Sequence, residues 1–240
     1  MEYFAFTYDK VMTNSKFAEL FGIERRKENE ETKQIEVATK HRYSAKIALN
    51  LNGELTPAPY PHWTIKEIYE QPLKIMNSIN LGGRILDNKH VKLGGCSEYR
   101  EQLQEIENII LLGCGTSYHS CMYGKEFMKK LCVFNSVHVY DGADFDISDV
   151  PKIGKSLMIF VSQSGETKDL HRCIQIAKEN DIFTLGIINV VDSLIAREVE
   201  CGIYCNAGRE MGVASTKAFT AQMTVMAIMA LKAAFVKDEI

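Results

Sequence analysis

Short runs of apolar residues recur along the chain, and stretches with apolar residues at helical spacing lie between them. The runs are continuous rather than alternating, which is typical of strands buried on both faces of a sheet. Strands are predicted at 109–112, 137–140, 157–161, 183–188 and 202–205. Apolar residues recur every three or four positions from Leu170 to Ala177, which predicts a helix over 168–179. Strands that alternate with helices in this way predict an α/β fold with a doubly wound, five-stranded parallel sheet.

The region before the first strand divides near residue 60. Three prolines within 56–61 prevent a helix, so this segment is predicted to be an extended linker. Residues 1–59 then form an N-terminal extension of unclear role, with an amphipathic helix from Ser15 and a hairpin closed at 52–53 as its predicted elements. The main domain is predicted to be 60–240, including a lead-in helix.

Two helices of the main domain have unusual features. The lead-in helix starts near Thr64, where Glu67 gives the spacing of a capping box, and Pro72 is expected to end or bend it. A shorter helix is predicted over 98–107. The last helix, 218–236, is apolar nearly all round, which is typical of a helix buried between protein surfaces rather than of a membrane span. Its apolar face predicts association, most simply as a homodimer.

Composition narrows the range of functions. The chain has 240 residues, 46% of them hydrophobic, with a net charge of −3, so neither nucleic acid nor an acidic membrane is an expected partner. Its seven cysteines are scattered without disulfide or metal-ligand spacing, which predicts reduced thiols in a cytoplasmic protein and no metal site. No signal peptide is evident at 1–6. No G-x-G-x-x-G follows a first strand, so a dinucleotide fold is disfavoured. No cofactor is expected.

The strand over 157–161 leads into a turn rich in hydroxyl groups. Ser162, Ser164 and Thr167 can donate to an oxyanion, and Gly165 lets the backbone turn tightly. A helix N-terminus follows, and the three features together predict a phosphate-binding turn. The alternative is that the cluster only caps the helix. Because binding costs about 4–15 kcal/mol, phosphate alone is expected to bind weakly, and a sugar must be held as well.

Two more turns follow predicted strands. The turn 113–117, which is rich in glycine and hydroxyl groups, and the loop 208–217 are predicted to meet the first turn at the carboxyl edge of the sheet. Ser215 and Thr216 are good N-cap residues for the last helix. Cys114, beside a helix N-terminus, is interpreted as a small buried residue rather than a reactive thiol. His119 is interpreted as a hydrogen-bonded core histidine.

These turns together resemble a sugar isomerase (SIS) domain, and more narrowly the first SIS domain of glutamine–fructose-6-phosphate aminotransferases. The segment 62–72, which reads HWTIKEIYEQP, also resembles the lead-in helix of the isomerase half of that family. The resemblance implies a flavodoxin-like sheet, binding of fructose 6-phosphate or a related sugar phosphate, and a role in hexosamine biosynthesis. It implies that the phosphate and sugar are held by Thr116, Ser117, Ser162, Gln163, Ser164, Thr167, Val213 and Ser215.

The sequence also departs from that family. There is no N-terminal Met-Cys-Gly, and the chain stops before a second SIS domain, where the resemblance places the isomerising and Schiff-base residues. No catalytic residue is therefore assigned to this chain. Three interpretations remain open: a synthase part that works with a second SIS-containing part and is inactive alone, a stand-alone phosphosugar-binding regulator, and a small aldose–ketose isomerase with Glu210 or Glu166 as its base.

Overall fold

A computed structural model describes residues 56–87, 90–132 and 134–236. The helix predicted from Ser15 and the hairpin predicted at 52–53 lie outside these residues. Most of the described chain folds around one sheet, and its five strands confirm all five that the apolar runs predict. These strands are β1 (Ile106–Gly113), β2 (Ser136–Asp141), β3 (Lys155–Ser162), β4 (Phe183–Ile188) and β5 (Cys201–Tyr204).

The sheet is parallel throughout, with strand order β2-β1-β3-β4-β5. The chain starts at β1, moves outward to β2, and then crosses back over β1 to β3. The order of strands therefore reverses between β1 and β3, whose carboxyl ends lie side by side with Gly113 opposite Val161. This arrangement confirms the doubly wound α/β fold of the flavodoxin-like type.

Helices cover both faces of the sheet. The predicted helix over 98–107 is shorter in the structure, because β1 already begins at Ile106. Short 3₁₀ turns form at Gly94–Cys96 and Ile147–Asp149. The described α-helices are α1 (Trp63–Ser78), α2 (Arg100–Gln104), α3 (Thr116–Leu131), α4 (Lys168–Glu179), α5 (Leu194–Glu198) and α6 (Lys217–Val236).

Successive residues of the central strands enter two separate hydrophobic cores. Ile109 and Leu111 of β1 pack on the side of α1, α3 and α6. Ile110 and Leu112 pack on the opposite side with α4 and α5. Since side chains alternate across a strand, a strand buried on both faces must be apolar at every position. This explains why the strands were recognisable as continuous apolar runs.

Helix α6 lies inside the domain, between α1 and α3. Ala221, Val225, Ile228 and Leu231 are at most 1% exposed, so the chain itself covers the apolar surface of this helix. The interpretation that α6 is buried between protein surfaces is confirmed, but its residues of known burial offer no large free apolar face for a homodimer, so association stays a prediction without that support. In the described part of the chain, no helix has the length and apolarity needed to cross a lipid bilayer.

Helix α1 differs from its prediction in two respects. It continues through Pro72, because the Gln71 side chain donates to the Ile68 carbonyl oxygen at 3.1 Å and so satisfies the group that the missing proline N–H would have bonded. The predicted capping box is wrong, since the N-cap is His62 and no side chain caps the helix. The linker before it is not extended but turns, with the Tyr60 N–H bonded to the Pro57 oxygen at 3.0 Å.

Candidate functional site: a rim of hydroxyl groups at the strand crossover

The candidate site lies at the carboxyl ends of β1 and β3, where the strand order reverses. In open α/β sheets this reversal leaves a crevice, because the loops after the two strands lead to helices on opposite faces. The loop after β1 reaches α3, and the loop after β3 reaches α4. Six of the eight predicted site residues lie in these two loops or at the strand and helix ends that they join. They are Thr116, Ser117, Ser162, Gln163, Ser164 and Thr167.

The β1–α3 turn brings the backbone unusually close to the start of its helix. A Cβ atom built on Gly113 would lie 2.7 Å from the carbonyl carbon of Ser117, so only glycine fits at the end of β1. This approach places the free N–H groups of the first turn of α3 at the sheet edge. Thr116 is half-buried at the start of the helix, and Ser117 is 9% exposed.

A residue of α6 holds the hydroxyl group of Ser117 in place by a hydrogen bond. The Gln222 Nε2 atom donates to Ser117 Oγ at 3.0 Å, and Gln222 Oε1 accepts from Ser120 Oγ at 2.9 Å. Gln222 is 1% exposed. Because the Ser117 oxygen already accepts a hydrogen bond, its own hydrogen is free to donate to another group.

The β3–α4 turn uses its hydroxyl groups in a similar way. The Ser162 oxygen accepts from the Gly165 N–H at 2.9 Å, and the Ser164 oxygen accepts from the Glu166 N–H at 3.2 Å. Thr167 occupies the N-cap position of α4 but makes no side-chain capping bond, and its hydroxyl lies 3.3 Å from that of Ser162. The alternative that this cluster only caps the helix therefore fails at Thr167.

Glycine and a carboxylate hold this turn against the next loop. Gly165 has a φ of +69°, and a Cβ atom there would lie 1.9 Å from Ser193 Oγ. Its carbonyl oxygen accepts from the Ile195 N–H at 2.9 Å. The carboxylate of Glu166 accepts from the Leu194 N–H at 2.9 Å, so it serves as a backbone acceptor at the start of α5.

Val213 and Ser215, the remaining predicted site residues, lie on the loop that precedes α6. Val213 is fully exposed and Ser215 is half-buried. Glu210 caps α6 by accepting from the Thr216 N–H at 2.8 Å and the Ala218 N–H at 3.3 Å. Thr216 precedes the helix as predicted, but its buried hydroxyl has no hydrogen-bond partner within the part of the chain that the structure describes, so the capping group is Glu210.

The loop before α6 is connected to the β1–α3 turn through α6 itself. Gln222, which holds Ser117, is five residues into α6 from Lys217. With a rise of 1.5 Å per residue, the start of α6 is about 8 Å along the helix axis from this contact. Val213 and Ser215 precede this helix by four and two residues, whereas the other six residues lie at the ends of β1 and β3.

Two further residues near the rim differ from expectation. His119 is exposed, with its ring edge-on to Tyr118, so the interpretation as a core histidine is wrong. Cys114 is half-buried, and burial raises the pKa of its thiol to about 11, so the helix N-terminus does not activate it. All seven cysteines are free thiols.

A cavity of about 70 Å³ lies elsewhere in the domain, near the amino ends of β1 and β3. Leu93, Ile106, Leu157 and Met229 are among its mainly apolar lining residues, so it has no ring of donors for a phosphate. Among the residues that the structure describes, no cluster of three or more His, Cys, Asp or Glu side chains could hold a metal ion.

Comparisons with known proteins agree with this geometry. Residues 102–232 match the family model described as the SIS domain. A protein of Acanthamoeba polyphaga mimivirus, named as a probable glutamine–fructose-6-phosphate aminotransferase [isomerizing], is 47% identical over 180 residues, which are 75% of this chain and 29% of that protein. The Saccharomyces cerevisiae enzyme of that name is 38% identical over 180 residues, 75% of this chain and 25% of that protein.

A solved structure shares the same fold. The C-terminal domain of glucosamine-fructose-6-phosphate aminotransferase from Francisella tularensis is 31% identical with a TM-score of 0.67, over 77% of this chain and 51% of that one. The chain spans less than a third of the length of the two relatives above. The family match covers more than half of the 240 residues and includes all five strands and the loops of the candidate site. The chain therefore belongs to the SIS domain family.

Proposed function

We propose that this chain binds a hexose 6-phosphate, of the fructose 6-phosphate or glucosamine 6-phosphate class, as the phosphosugar-binding part of a glucosamine-6-phosphate synthase-like enzyme. The observation that carries the proposal is the hydrogen bonding of the serine hydroxyl groups at the ends of β1 and β3. The oxygens of Ser117, Ser162 and Ser164 each accept a hydrogen bond from a protein N–H. An oxyanion has only acceptors, so a site for it needs hydroxyl groups that keep their hydrogens available.

The proposed division of roles follows from position. Ser162, Ser164 and Thr167, with the N–H groups at the start of α4, would hold the phosphate, because a helix N-terminus carries a partial positive charge. Thr116, Ser117 and Gln163 would bond the remaining phosphate oxygen and neighbouring sugar hydroxyls. Val213 and Ser215, on the side of α6, would contact the sugar. The names of the relatives support a phosphosugar, since the activity that they name uses fructose 6-phosphate.

The site contacts give no support to the other two interpretations from the sequence, the small isomerase and the stand-alone regulator. A small isomerase would use Glu166 or Glu210 as its base, but one oxygen of each carboxylate is already engaged at a helix start, where Glu166 accepts one backbone N–H and Glu210 accepts two. A stand-alone regulator has no specific contact that favours it.

Calorimetric titration tests the proposal directly. Fructose 6-phosphate and glucosamine 6-phosphate should bind the full chain, whereas fructose without its phosphate should not bind at the same concentration. Ser164→Ala should weaken binding by about 10-fold or more, since a hydrogen bond to a charged group contributes about 1.5–3 kcal/mol. Equal affinity for fructose and its phosphate, or an unchanged Kd in Ser164→Ala, would contradict the proposal.

A further inference from the structure

A buried carboxylate on the lead-in helix holds the loop that carries Val213 and Ser215. Glu67 is 1% exposed, and its two oxygens accept from consecutive backbone N–H groups of that loop. The distances are 2.6 Å to the Met211 nitrogen and 3.1 Å to the Gly212 nitrogen. A carboxylate that receives two N–H groups side by side fixes both the position and the direction of the backbone between them.

The same carboxylate lies beside a buried lysine at the start of α6. Lys217 Nζ is 3.9 Å from Glu67 Oε1 and 2.7 Å from Glu70 Oε2, and the lysine side chain is 6% exposed. Buried charges are tolerated when they are paired and hydrogen-bonded. Glu67 thus completes its hydrogen bonding within the fold, with no need of a ligand, and ties α1, the loop and α6 together.

The loop sequence is adapted to this contact. A Cβ atom on Gly212 would lie 2.6 Å from Glu67 Oε2 and 3.1 Å from Thr64 Oγ1. The absence of a side chain at this position lets the backbone approach the carboxylate, immediately before the exposed Val213. Ser215 follows two residues later, between this anchor and the cap that Glu210 gives to α6.

We propose that Glu67 is a positioning residue of the sugar-binding loop, which makes the lead-in helix part of the phosphosugar site. Glu67 would not touch the ligand. It would set where Val213 and Ser215 meet the sugar, while the β1–α3 and β3–α4 turns hold the phosphate independently, since the described polar contacts of Glu67 lead to Met211, Gly212 and Lys217. The inference rests on the proposed function and deepens it, because it divides the site into a sugar half and a phosphate half.

Glu70 provides a matched control for the test. It lies on the same helix, three residues after Glu67, and shares Lys217, but among the described residues its carboxylate makes no hydrogen bond to the loop backbone. Glu67→Gln and Glu70→Gln each remove one negative charge beside Lys217. Only the first replaces an acceptor oxygen that holds the loop with an amide group that repels its N–H. A difference between the variants therefore reports on the loop rather than on the ion pair.

Glu67→Gln is expected to weaken binding of the sugar while leaving binding of the phosphate nearly unchanged. In the full chain, Glu67→Gln should raise the Kd for fructose 6-phosphate by about 10-fold, because a displaced loop loses at least one hydrogen bond to the ligand. The inhibition constant of inorganic phosphate, measured by competition, should change less than about twofold, since the phosphate turns are untouched. Glu70→Gln should leave both constants close to those of the unmodified chain.

Two outcomes would overturn the inference: equal weakening of inorganic phosphate and fructose 6-phosphate, or equal weakening by the two variants. Amide hydrogen exchange supplies a readout that needs no ligand, because the Met211 and Gly212 amides should exchange faster in Glu67→Gln than in Glu70→Gln. Unchanged exchange would also overturn it. If the unmodified chain binds no hexose 6-phosphate, the proposed function fails, whereas exchange still shows whether Glu67 holds the loop.

Discussion

The substitution Ser117→Ala should weaken sugar-phosphate binding and destabilise the fold, by two separable mechanisms. For binding, the variant loses one hydroxyl donor to a charged ligand, which corresponds to about 1.5–3 kcal/mol or about a 10- to 150-fold rise in Kd. For stability, it removes the acceptor of the Gln222 Nε2 donor. Gln222 is only 1% exposed, so water cannot replace that acceptor. An unsatisfied buried donor costs about 1–3 kcal/mol.

A double variant separates the two effects. Gln222→Leu combined with Ser117→Ala removes both partners of the hydrogen bond, and replacing both by apolar groups is nearly neutral for stability. Ser120 keeps an acceptor, since its single hydroxyl hydrogen can instead point to the Ser117 carbonyl oxygen, which lies 2.7 Å away. The double variant should therefore recover most of the free energy of unfolding that Ser117→Ala loses, without recovering any affinity.

The measurements are urea unfolding for stability and calorimetric titration with fructose 6-phosphate for affinity. Ser164→Ala serves as the comparison, because among the described residues its hydroxyl bonds only to the nearby Glu166 N–H, and the unfolding free energy of this variant should change by less than about 0.5 kcal/mol. If the double variant regains affinity together with stability, Ser117 acts on binding only through the fold, and its assignment to the site is refuted.

The remaining predictions concern the two site turns. Gly165→Ala should lower the free energy of unfolding by about 2–5 kcal/mol in urea melts, because a positive φ and a clash with Ser193 add together. A loss of less than about 1 kcal/mol would refute this. Combining the substitution with Ser193→Gly should recover part of the lost stability. Cys114 should react with iodoacetamide at pH 7.5 about 10-fold more slowly than an ordinary exposed thiol. Its pKa of about 11 reduces the thiolate fraction about 100-fold, and the higher nucleophilicity of that thiolate offsets about 10-fold of the reduction; labelling at the ordinary rate, located by peptide mass analysis, would contradict it.

Much of the fold can be predicted from the sequence, because the apolar pattern of each strand and helix lies within the element itself. The central strands are buried on both faces, so β1 and β3 appear in the sequence as continuous apolar runs. The order of strands and turns then places the hydroxyl groups after β1 and β3 at one edge of the sheet. What local reasoning could not fix was the end of each element, as at α2, where the strand that follows begins earlier than the pattern suggests.

The contacts that organise the site were missed because they join distant parts of the chain. Glu67 was interpreted from its spacing to Thr64 as a capping residue, but its partners, Met211 and Gly212, lie about 145 positions later. Gln222 was visible as a polar residue in an apolar helix, a pattern that often marks a buried hydrogen bond, but its partner Ser117 is 105 residues away. Sequence spacing carries no information about such pairs.

The position of α1 over α6 has a practical consequence for where this domain can be cut. The family match starts at residue 102, but α1 lies well before it and covers part of the apolar α6. A fragment that begins at residue 102 would leave that strip of α6 facing water, and such uncovered apolar surface promotes aggregation. Expression of a shortened protein should therefore retain the chain from before Trp63, and a fragment lacking α1 is expected to collect in inclusion bodies.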